Sequence, residues 1–227
     1  MRSLRYFAAT GAAAALVLAG CSSGGGDTTQ STEAEQNDAA TEAAEGGDVE
    51  VLTVGASPSP HGSILTFIND NLAAEAGLQL KIVEFSDYIQ PNEALNAGEL
   101  DANFFQTVPY LEAQTEERGY DFVAGSPVHI EPLGIYSETI TDIADVPEGA
   151  KVGIITDPSN QGRALELLAA NGLVELPADG AINATTVTPL KGISLIEVEG
   201  PSLVRNLQDV DIAVINGNFA LEGGLSP

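Results

Sequence analysis

The chain has 227 residues and a formal net charge of −25 at pH 7, because 33 acidic residues outnumber 8 lysines and arginines. This acidity argues against nucleic acid and anionic lipid headgroups as partners, since a negative surface repels both. A single cysteine in the whole sequence excludes a disulfide framework.

The N-terminus combines a basic start with a short apolar stretch. Arg2 and Arg5 precede the apolar residues 8–20, a stretch shorter than the roughly 20 residues that span a bilayer but suited to a secretory signal. The residues 18–21 (LAGC) resemble a lipobox, so we expect a signal peptide over residues 1–20 and a lipid on Cys21. The alternative, a buried cysteine behind a core helix, would need an amphipathic period that this stretch lacks.

Residues 22–48 contain no aromatic and no branched aliphatic side chain. Such a segment cannot bury enough apolar surface to offset its ordering entropy, so we expect residues 21–48 to form a disordered acidic tether. The tether would hold the folded part, residues 49–227, at a short distance from a membrane.

From residue 49, strand-like and helix-like segments alternate, which predicts parallel sheets covered by helices. The strands predicted in the first half are 49–56, 78–85, 100–104 and 122–125, and the helices are 61–76, 91–97 and 109–118. The strands predicted in the second half are 151–156, 193–198 and 211–215, and the helices are 158–170 and 202–207. Two such runs, joined through residues 128–141, predict an α/β fold with two lobes.

We place the first lobe over residues 49–135 and the second lobe, with the start of a return to the first, over residues 136–227. A weak echo supports two lobes, since a short helix, an aspartate and a strand recur at residues 100–103 and 210–213. Ligands of open α/β sheets sit beyond the carboxyl ends of the strands. Residues 104–110 and 216–219 are therefore candidates for a cleft.

The sequence contains no G-x-S-x-G, no G-x-x-x-x-G-K-[ST] and no G-x-G-x-x-G after a strand. Its two histidines, His61 and His129, have no partner at the spacing typical of metal ligands. We therefore expect a protein that is not an enzyme and that holds no metal and no cofactor. We interpret His61 as a structural residue that caps the helix after Pro60.

Several ordered motifs run through the folded part. They are residues 85–95 (FSDYIQPNEAL), 100–106 (LDANFFQ), 109–111 (PYL), 129–137 (HIEPLGIYS), 157–160 (DPSN), 162–165 (GRAL) and 214–220 (VINGNFA). Together and in this order they resemble the methionine-binding (NlpA-type) lipoproteins, across essentially all of residues 49–227.

The resemblance implies a two-lobed, type II periplasmic-binding fold that closes on a free amino acid in the cleft between the lobes. It implies a receptor on the extracytoplasmic face of the cell membrane, held there by its lipid. Such a receptor offers methionine, or a close analogue, to an ABC importer built from a permease pair and an ATPase. We expect it to be a monomer.

The resemblance also implies a set of ligand contacts. The side-chain pocket would be formed by Tyr88, Phe105 and Tyr110, with Thr107 beside them, and the ligand's backbone groups would be held by Asn160, Arg163 and Asn216. For Phe105 alone, core packing is the competing interpretation. The two tyrosines carry hydroxyls that need partners, and aromatic edges pack well against a thioether.

The residue chemistry favours a carboxylate near Arg163 independently. Asp157 can cap the helix that starts at Pro158, and a helix N-terminus together with a bidentate guanidinium suits an α-carboxylate. The alternative is that Arg163 forms a surface ion pair with Glu166 or another acid. Glu131 is a further candidate, for the ligand's ammonium group.

Two positions depart from the family pattern. Thr107 stands where the family commonly has a histidine, which opens the ligand to another small apolar amino acid or a methionine-containing dipeptide. The chain ends at Pro227, where the family continues with segments that return to the first lobe, so we expect a C-terminal truncation and an incomplete first lobe. Functions of another class that stay open are a lipid-anchored hydrolase or lyase and a scaffold lipoprotein.

Overall fold

The computed structural model describes residues 49–226. The expected signal peptide, the lipid-attachment residue Cys21, the expected tether and Pro227 lie outside the described residues. Within residues 49–226, no helix is both long enough and apolar enough to cross a membrane.

The first of two main sheets consists of three parallel strands. They are β1 (Glu50–Ala56), β2 (Leu78–Glu84) and β3 (Ala102–Phe104), in the order β2-β1-β3. The register places Val54 of β1 opposite Ile82 on one side and Ala102 on the other. Val54 and Ala56 pack with Leu65 in a small core cluster, so the buried part of this sheet is the carboxyl end of its central strand.

Three helices belong to the same half of the chain, α1 (Ser63–Asn71), α2 (Gln90–Asn96) and α3 (Val108–Arg118). Local chemistry fixes both ends of α3. The Thr107 hydroxyl accepts a hydrogen bond from the main-chain N–H of Tyr110 at 3.4 Å, and Gly119 ends the helix with a φ of 72°. Glycine adopts that left-handed conformation without steric cost. At its other end, α3 begins shortly after the carboxyl end of β3.

The second main sheet has four strands, and a separate ribbon has two. The strands are β4 (Leu133–Tyr136), β5 (Lys151–Ile155), β6 (Val174–Glu175), β7 (Thr188–Pro189), β8 (Ser194–Val198) and β9 (Ile212–Asn216). The main sheet has the order β4-β9-β5-β8, with β5 parallel to β8 and β9, and β4 antiparallel to β9. Every residue of β9 is buried, as expected for a strand covered on both faces.

The largest core cluster lies between this sheet and the helix α4 (Pro158–Ala170). Leu165 and Leu168 of α4 are fully buried against Val152 and Ile154 of β5. The short helix α5 (Gly217–Glu222) follows β9 directly. The core therefore holds α4 and the end of β9 in fixed positions, and both carry predicted ligand contacts.

Most predicted elements are present with slightly shifted ends, but residues 122–125 form no strand. Phe122 stacks instead on Tyr120, with ring centroids 4.8 Å apart. Residues 202–207 are part of two 3-10 turns, Gly200–Ser202 and Arg205–Asp209, rather than an α-helix. Leu203 and Leu207 are nevertheless buried on one side, because tight turns also place residues three or four apart on one side.

The expected boundary between residues 135 and 136 falls inside β4. This strand pairs with β9, from Leu133 opposite Asn216 to Tyr136 opposite Ala213. The second sheet therefore begins at Leu133, because the hydrogen bonds of β4 belong to the second sheet rather than to the first.

Leu165→Ala should lower the free energy of unfolding by about 2–5 kcal/mol, because it removes a fully buried side chain and leaves a cavity. Urea unfolding followed by circular dichroism measures this loss. Leu221→Ala is the control, since Leu221 is 40% exposed, and should cost less than about 1 kcal/mol. Equal losses for the two variants would contradict the position of the core.

Candidate functional site

One cavity of about 1140 Å³ is lined by residues from both halves of the described chain. All seven predicted ligand contacts line it, namely Tyr88, Phe105, Thr107, Tyr110, Asn160, Arg163 and Asn216. Each of these residues ends or follows a strand of one of the two main sheets, namely β2, β3, β5 or β9. The carboxyl ends of those strands thus bring together residues that are far apart in the sequence.

Asn160 is the centre of the polar part of the cavity. Its Oδ1 accepts hydrogen bonds from Nη1 of Arg163 at 2.8 Å and from Nδ2 of Asn216 at 2.9 Å. Its Nδ2 lies 3.2 Å from both carboxylate oxygens of Asp157. Since both asparagines are buried, this network fixes the three predicted polar contacts relative to one another.

Asp157 caps α4 as predicted, since Oδ1 accepts the main-chain N–H of Asn160 at 2.9 Å. Burial raises the pKa of this carboxyl group, and its hydrogen bonds to Asn160 oppose the rise. The end of the helix is therefore already occupied by a carboxylate. With that N–H taken by Asp157, Arg163 is the positively charged group that lines the cavity here.

The Arg163 guanidinium is held by neutral acceptors. Besides its bond to Asn160, Nη2 donates to the main-chain oxygen of Glu131 at 3.1 Å. Among residues 49–226, no carboxylate lies within ion-pair distance of Arg163, and Glu166 is exposed. The Arg163 guanidinium therefore presents an uncompensated positive charge and further N–H donors to the cavity.

Asn216 contributes an acceptor to the same place. Its Oδ1 is buried and has no hydrogen-bond partner within the described residues. Leaving a buried polar atom without a partner costs about 1–3 kcal/mol. A donor supplied from the cavity would remove that cost.

The aromatic part of the cavity contains Tyr88, Phe105 and Tyr110, whose ring centroids lie between 5.7 and 6.1 Å apart. Both hydroxyls find partners, as predicted. The Tyr110 hydroxyl donates to the main-chain oxygen of Tyr88 at 2.9 Å, and the Tyr88 hydroxyl donates to Oδ1 of Asn218. The Tyr88 ring also stacks on Phe219, with centroids 4.7 Å apart, so Tyr88 joins the two halves of the chain.

A buried amide network positions Phe105. Asn92, which is fully buried, exchanges two hydrogen bonds with the Gln106 amide, at 2.8 and 2.9 Å. Asn103 donates to Oδ1 of Asn92 at 2.8 Å and accepts from Nε2 of Gln106 at 3.0 Å. The polar residues of the 85–95 and 100–106 motifs therefore lock α2 to the end of β3, from which Phe105 extends.

His61 and His129 are not isolated, contrary to the sequence-based expectation. Their ring centroids lie 4.8 Å apart, and Nε2 of each ring lies 3.3 Å from Oε2 of Glu131. His61 caps no helix, since α1 begins after Gly62 without a side-chain bond. Burial and the nearby His129 lower the pKa of His61 to about 4, so its imidazole is neutral at pH 7.

Sequence reasoning missed this cluster, and it placed Asn218 in the cleft range 216–219 without assigning it a contact. One signal was available, because His129 and Glu131 are two residues apart, the spacing that places side chains on one face of an extended segment. Nothing in the spacing linked them to His61. Glu131 has a second role, since its Oε1 accepts the main-chain N–H of Asn218 at 3.0 Å.

The sequence matches the NlpA lipoprotein family over residues 52–227. A relative from Pasteurella multocida, named as a probable D-methionine-binding lipoprotein (MetQ), is 38% identical over 179 residues. That alignment covers 77% of this chain and 64% of the relative. The chain thus spans slightly less than two thirds of the length of that relative.

Solved structures with the same fold align with a similar share of this chain. A protein from Actinomyces odontolyticus is 60% identical with a TM-score of 0.77, covering 79% of this chain and 74% of its own. A periplasmic substrate-binding protein of an ABC transporter from Coxiella burnetii is 38% identical with a TM-score of 0.74, covering 78% and 75%. A nutrient-binding protein from Burkholderia cenocepacia, bound to methionine, is 38% identical with a TM-score of 0.75, covering 78% and 76%. The predicted two-lobed fold of a periplasmic binding protein is therefore confirmed.

Alkaline pH should destabilise the protein through Tyr110. Burial raises the pKa of this phenol above its usual value of 10.0, so the native state keeps a proton that an unfolded tyrosine loses above pH 10. Unfolding then releases a proton, and the free energy of unfolding falls by up to roughly 1.4 kcal/mol per pH unit for this group. Tyr110→Phe should make the decline between pH 10 and 12 shallower, as measured by urea unfolding.

The control is Phe105→Leu, which changes the packing of the same aromatic group without removing a titratable side chain. It should shift the whole stability curve and leave its slope unchanged. Identical slopes in the wild type and Tyr110→Phe would contradict the role of Tyr110.

Proposed function

We propose, because the chain belongs to the NlpA lipoprotein family, that it is an extracytoplasmic receptor that binds methionine or a close analogue and delivers it to an ABC importer. The names of the relatives support this, since they include a methionine-binding lipoprotein, a protein bound to methionine and a receptor of an ABC transporter. The observation that carries the proposal is the Asn160–Arg163–Asn216 network, which shares one cavity with three aromatic side chains.

In this proposal Arg163 binds the ligand's α-carboxylate. The guanidinium is oriented by two neutral acceptors, so its charge is available and its remaining donors need not be reoriented. A planar fork that is already held in place loses little entropy when it binds a carboxylate.

The α-ammonium group of the ligand would donate to Oδ1 of Asn216. This oxygen is buried and lacks a partner within the described residues, and Asn216 is linked to Arg163 through Asn160. The ammonium and the carboxylate of one α-amino acid are close enough to reach the two side chains together. The Glu131 carboxylate is less suited to the ammonium, because the main-chain N–H of Asn218 binds its Oε1 and both imidazoles face its Oε2.

The ligand's side chain would extend toward Tyr88, Phe105 and Tyr110. A thioether packs favourably against aromatic edges, by about 0.3–1.5 kcal/mol, which supports methionine. The Thr107 hydroxyl is engaged in capping α3, so it adds little to the recognition of the ligand's side chain.

A methionine-containing dipeptide is a second candidate, favoured by the size of the cavity. At about 1140 Å³ the cavity exceeds the roughly 300–1,000 Å³ typical of small-molecule pockets. Thr107 also occupies less space than the histidine expected at that position. Calorimetry with L-methionine, D-methionine, leucine and a methionine-containing dipeptide separates these ligands.

We propose that residues 49–132 and 133–226 act as the two lobes and close on the ligand. Contacts already joining the halves support this, because Tyr88 reaches Asn218 and Phe219 while Glu131 reaches the start of α5. A ligand held between Arg163 and the aromatic side chains would add to those contacts, and would therefore favour the closed state.

The lipid anchor is part of the proposal. Residues 1–20 would be removed as a signal peptide, Cys21 would be acylated, and residues 22–48 would tether the receptor to the membrane. The lipobox-like LAGC sequence and the membership of a lipoprotein family support this assignment. The receptor would work by binding and release, without a chemical step, as a monomer.

Arg163→Ala should weaken methionine binding by about tenfold to a few hundredfold, measured by calorimetry. The lost charge-assisted hydrogen bond is worth roughly 1.5–3 kcal/mol, and about 1.4 kcal/mol corresponds to one factor of ten. Arg163→Lys should restore binding only in part, because an ammonium keeps the charge but not the planar fork.

Arg118→Ala and Arg205→Ala are the controls for general loss of positive charge, since neither arginine lines the cavity. Both variants should bind methionine like the wild type. If Arg163→Ala also binds like the wild type and stays folded by circular dichroism, the carboxylate site lies elsewhere.

Cys21→Ser should abolish metabolic labelling of the protein with a palmitate analogue, because the acyl chain needs the thiol. Ser22→Ala, at the neighbouring position, should leave the labelling unchanged. Undiminished labelling of the Cys21 variant would disprove the anchor.

A further inference from the structure

The three side chains of the His61–His129–Glu131 cluster meet at one carboxylate oxygen. Nε2 of His61 and Nε2 of His129 each lie 3.3 Å from Oε2 of Glu131, and the three atoms lie within 4.8 Å of one another. The sequence contains only two histidines. Both therefore converge on this oxygen from separate segments of the chain.

The two nitrogen–oxygen spacings are those of ligands around a small metal ion, whereas the two imidazole nitrogens lie up to 4.8 Å apart and would move closer when an ion binds. Zn²⁺ binds imidazole nitrogen at about 2.0–2.1 Å and carboxylate oxygen at about 2.0–2.2 Å, so two ligand atoms at a tetrahedral angle lie about 3.3–3.5 Å apart. Both nitrogen–oxygen distances in the cluster have this value. They are longer than the roughly 2.9–3.0 Å typical of an N–H···O hydrogen bond.

Hydrogen bonding alone explains His61 poorly. The side chain is 3% exposed, and its Nδ1 has no partner within the described residues. Its Nε2 meets Glu131 only at the long distance given above. With the proton on Nδ1, the lone pair of Nε2 would face the carboxylate unfavourably, and with the proton on Nε2, the buried Nδ1 would lack a donor. A cation between Nε2 and the carboxylate would turn both groups into ligands.

Neighbouring contacts hold the three side chains in place. The Phe104 ring packs edge-on against His61 and His129, with centroids 4.8 and 5.4 Å away. The main-chain N–H of Asn218 fixes Oε1 of Glu131, which leaves Oε2 toward the histidines. Such supporting contacts orient ligands before a metal binds.

We propose that His61, His129 and Glu131 form a binding site for one divalent transition-metal ion of the zinc type. The two Nε2 atoms and Oε2 of Glu131 are its protein ligands. Two nitrogen donors select such an ion over Mg²⁺ and Ca²⁺, which prefer oxygen. All three residues line the cavity, so the fourth coordination position is open to water or to a small molecule there.

The test uses the full-length protein without a histidine tag, labelled with ¹⁵N in its imidazoles, in a Cys21→Ser background that removes the only thiol. ZnCl₂ is titrated with excess Mg²⁺ and Ca²⁺ present, which occupy surface carboxylates. One equivalent of Zn²⁺ should shift both Nε2 resonances together. Co²⁺ at one equivalent should give the visible absorption of a tetrahedral complex.

His129→Gln is the decisive variant, because His129 is partly exposed and its replacement should not disturb folding. It should weaken Zn²⁺ binding at least about 100-fold, since even residues that only support a metal ligand cost 10–100-fold. Glu112→Gln removes one exposed carboxylate outside the cavity and should leave Zn²⁺ binding unchanged.

Zn²⁺ binding that excess Mg²⁺ and Ca²⁺ suppress, that shifts only one imidazole, or that survives His129→Gln would overturn the site and mean association with surface acids only. The titration contains no amino acid. Its failure would therefore leave the proposed receptor function untouched, and a failure to bind methionine would leave the metal site untouched.

Discussion

A guanidinium held by neutral acceptors is the constraint on which the cavity depends. The amide oxygen of Asn160 accepts hydrogen bonds from both Arg163 and Asn216. The main-chain oxygen of Glu131 accepts a second hydrogen bond from Arg163. A carboxylate in either place would have oriented the guanidinium equally well but would have cancelled its charge. Amide and carbonyl oxygens orient it and leave the charge for a ligand.

The same constraint explains why a partly buried carboxylate, Asp157, lies nearby. The Asn160 amide donates to Asp157, and Asp157 caps the helix that carries both Asn160 and Arg163. Burial of this carboxyl group is unfavourable, as the raised pKa indicates, and the helix end together with the amide compensates for part of that cost. One carboxylate thus supports the helix, and through Asn160 it supports the position of Arg163.

Glu131 links the polar part of the cavity to the histidine cluster. Its main-chain oxygen accepts from Arg163, while its side chain faces His61 and His129 and accepts from the N–H of Asn218. A change in the position of this residue therefore affects the proposed carboxylate site, the proposed metal site and the contact with α5 together. Any effect of binding at one site on the affinity of the other would be matched by an equal reverse effect, as thermodynamic linkage requires.

The sequence predicted the parts of the molecule in which local pattern and geometry agree. The alternation of strand-like and helix-like segments predicted most strands of both sheets and α4. Asp157 and Pro158, as cap and first residue, predicted where that helix starts. The ordered motifs predicted seven residues that the fold brings to one cavity. The seven residues lie together because residues next to the carboxyl ends of parallel strands meet at one edge of a sheet, and their role as ligand contacts stays a prediction.

Features that depend on contacts between distant segments were not predictable in this way. Residues 122–125 have a strand-like composition but find no neighbouring strand, and β4 joins the second sheet because its only partner there is β9. The convergence of His61 with His129 and Glu131 depends on how two separate segments pack around Phe104. Neither spacing nor composition contains that information.

The charge distribution also restricts the class of ligand. Arg163 is the only lysine or arginine among the residues that line the cavity, whereas Asp101, Asp121 and Glu131 are acidic. Charges on surface acids further away are screened over about 8 Å at physiological ionic strength. The charged residues that line the cavity therefore determine the electrostatic environment of a ligand. In the proposed binding mode, the carboxylate of a zwitterion lies at Arg163 and its ammonium at Asn216, within predominantly negative surroundings, whereas a dicarboxylate would place its second charge against the acidic side chains. The cavity is therefore suited to amino acids with an uncharged side chain.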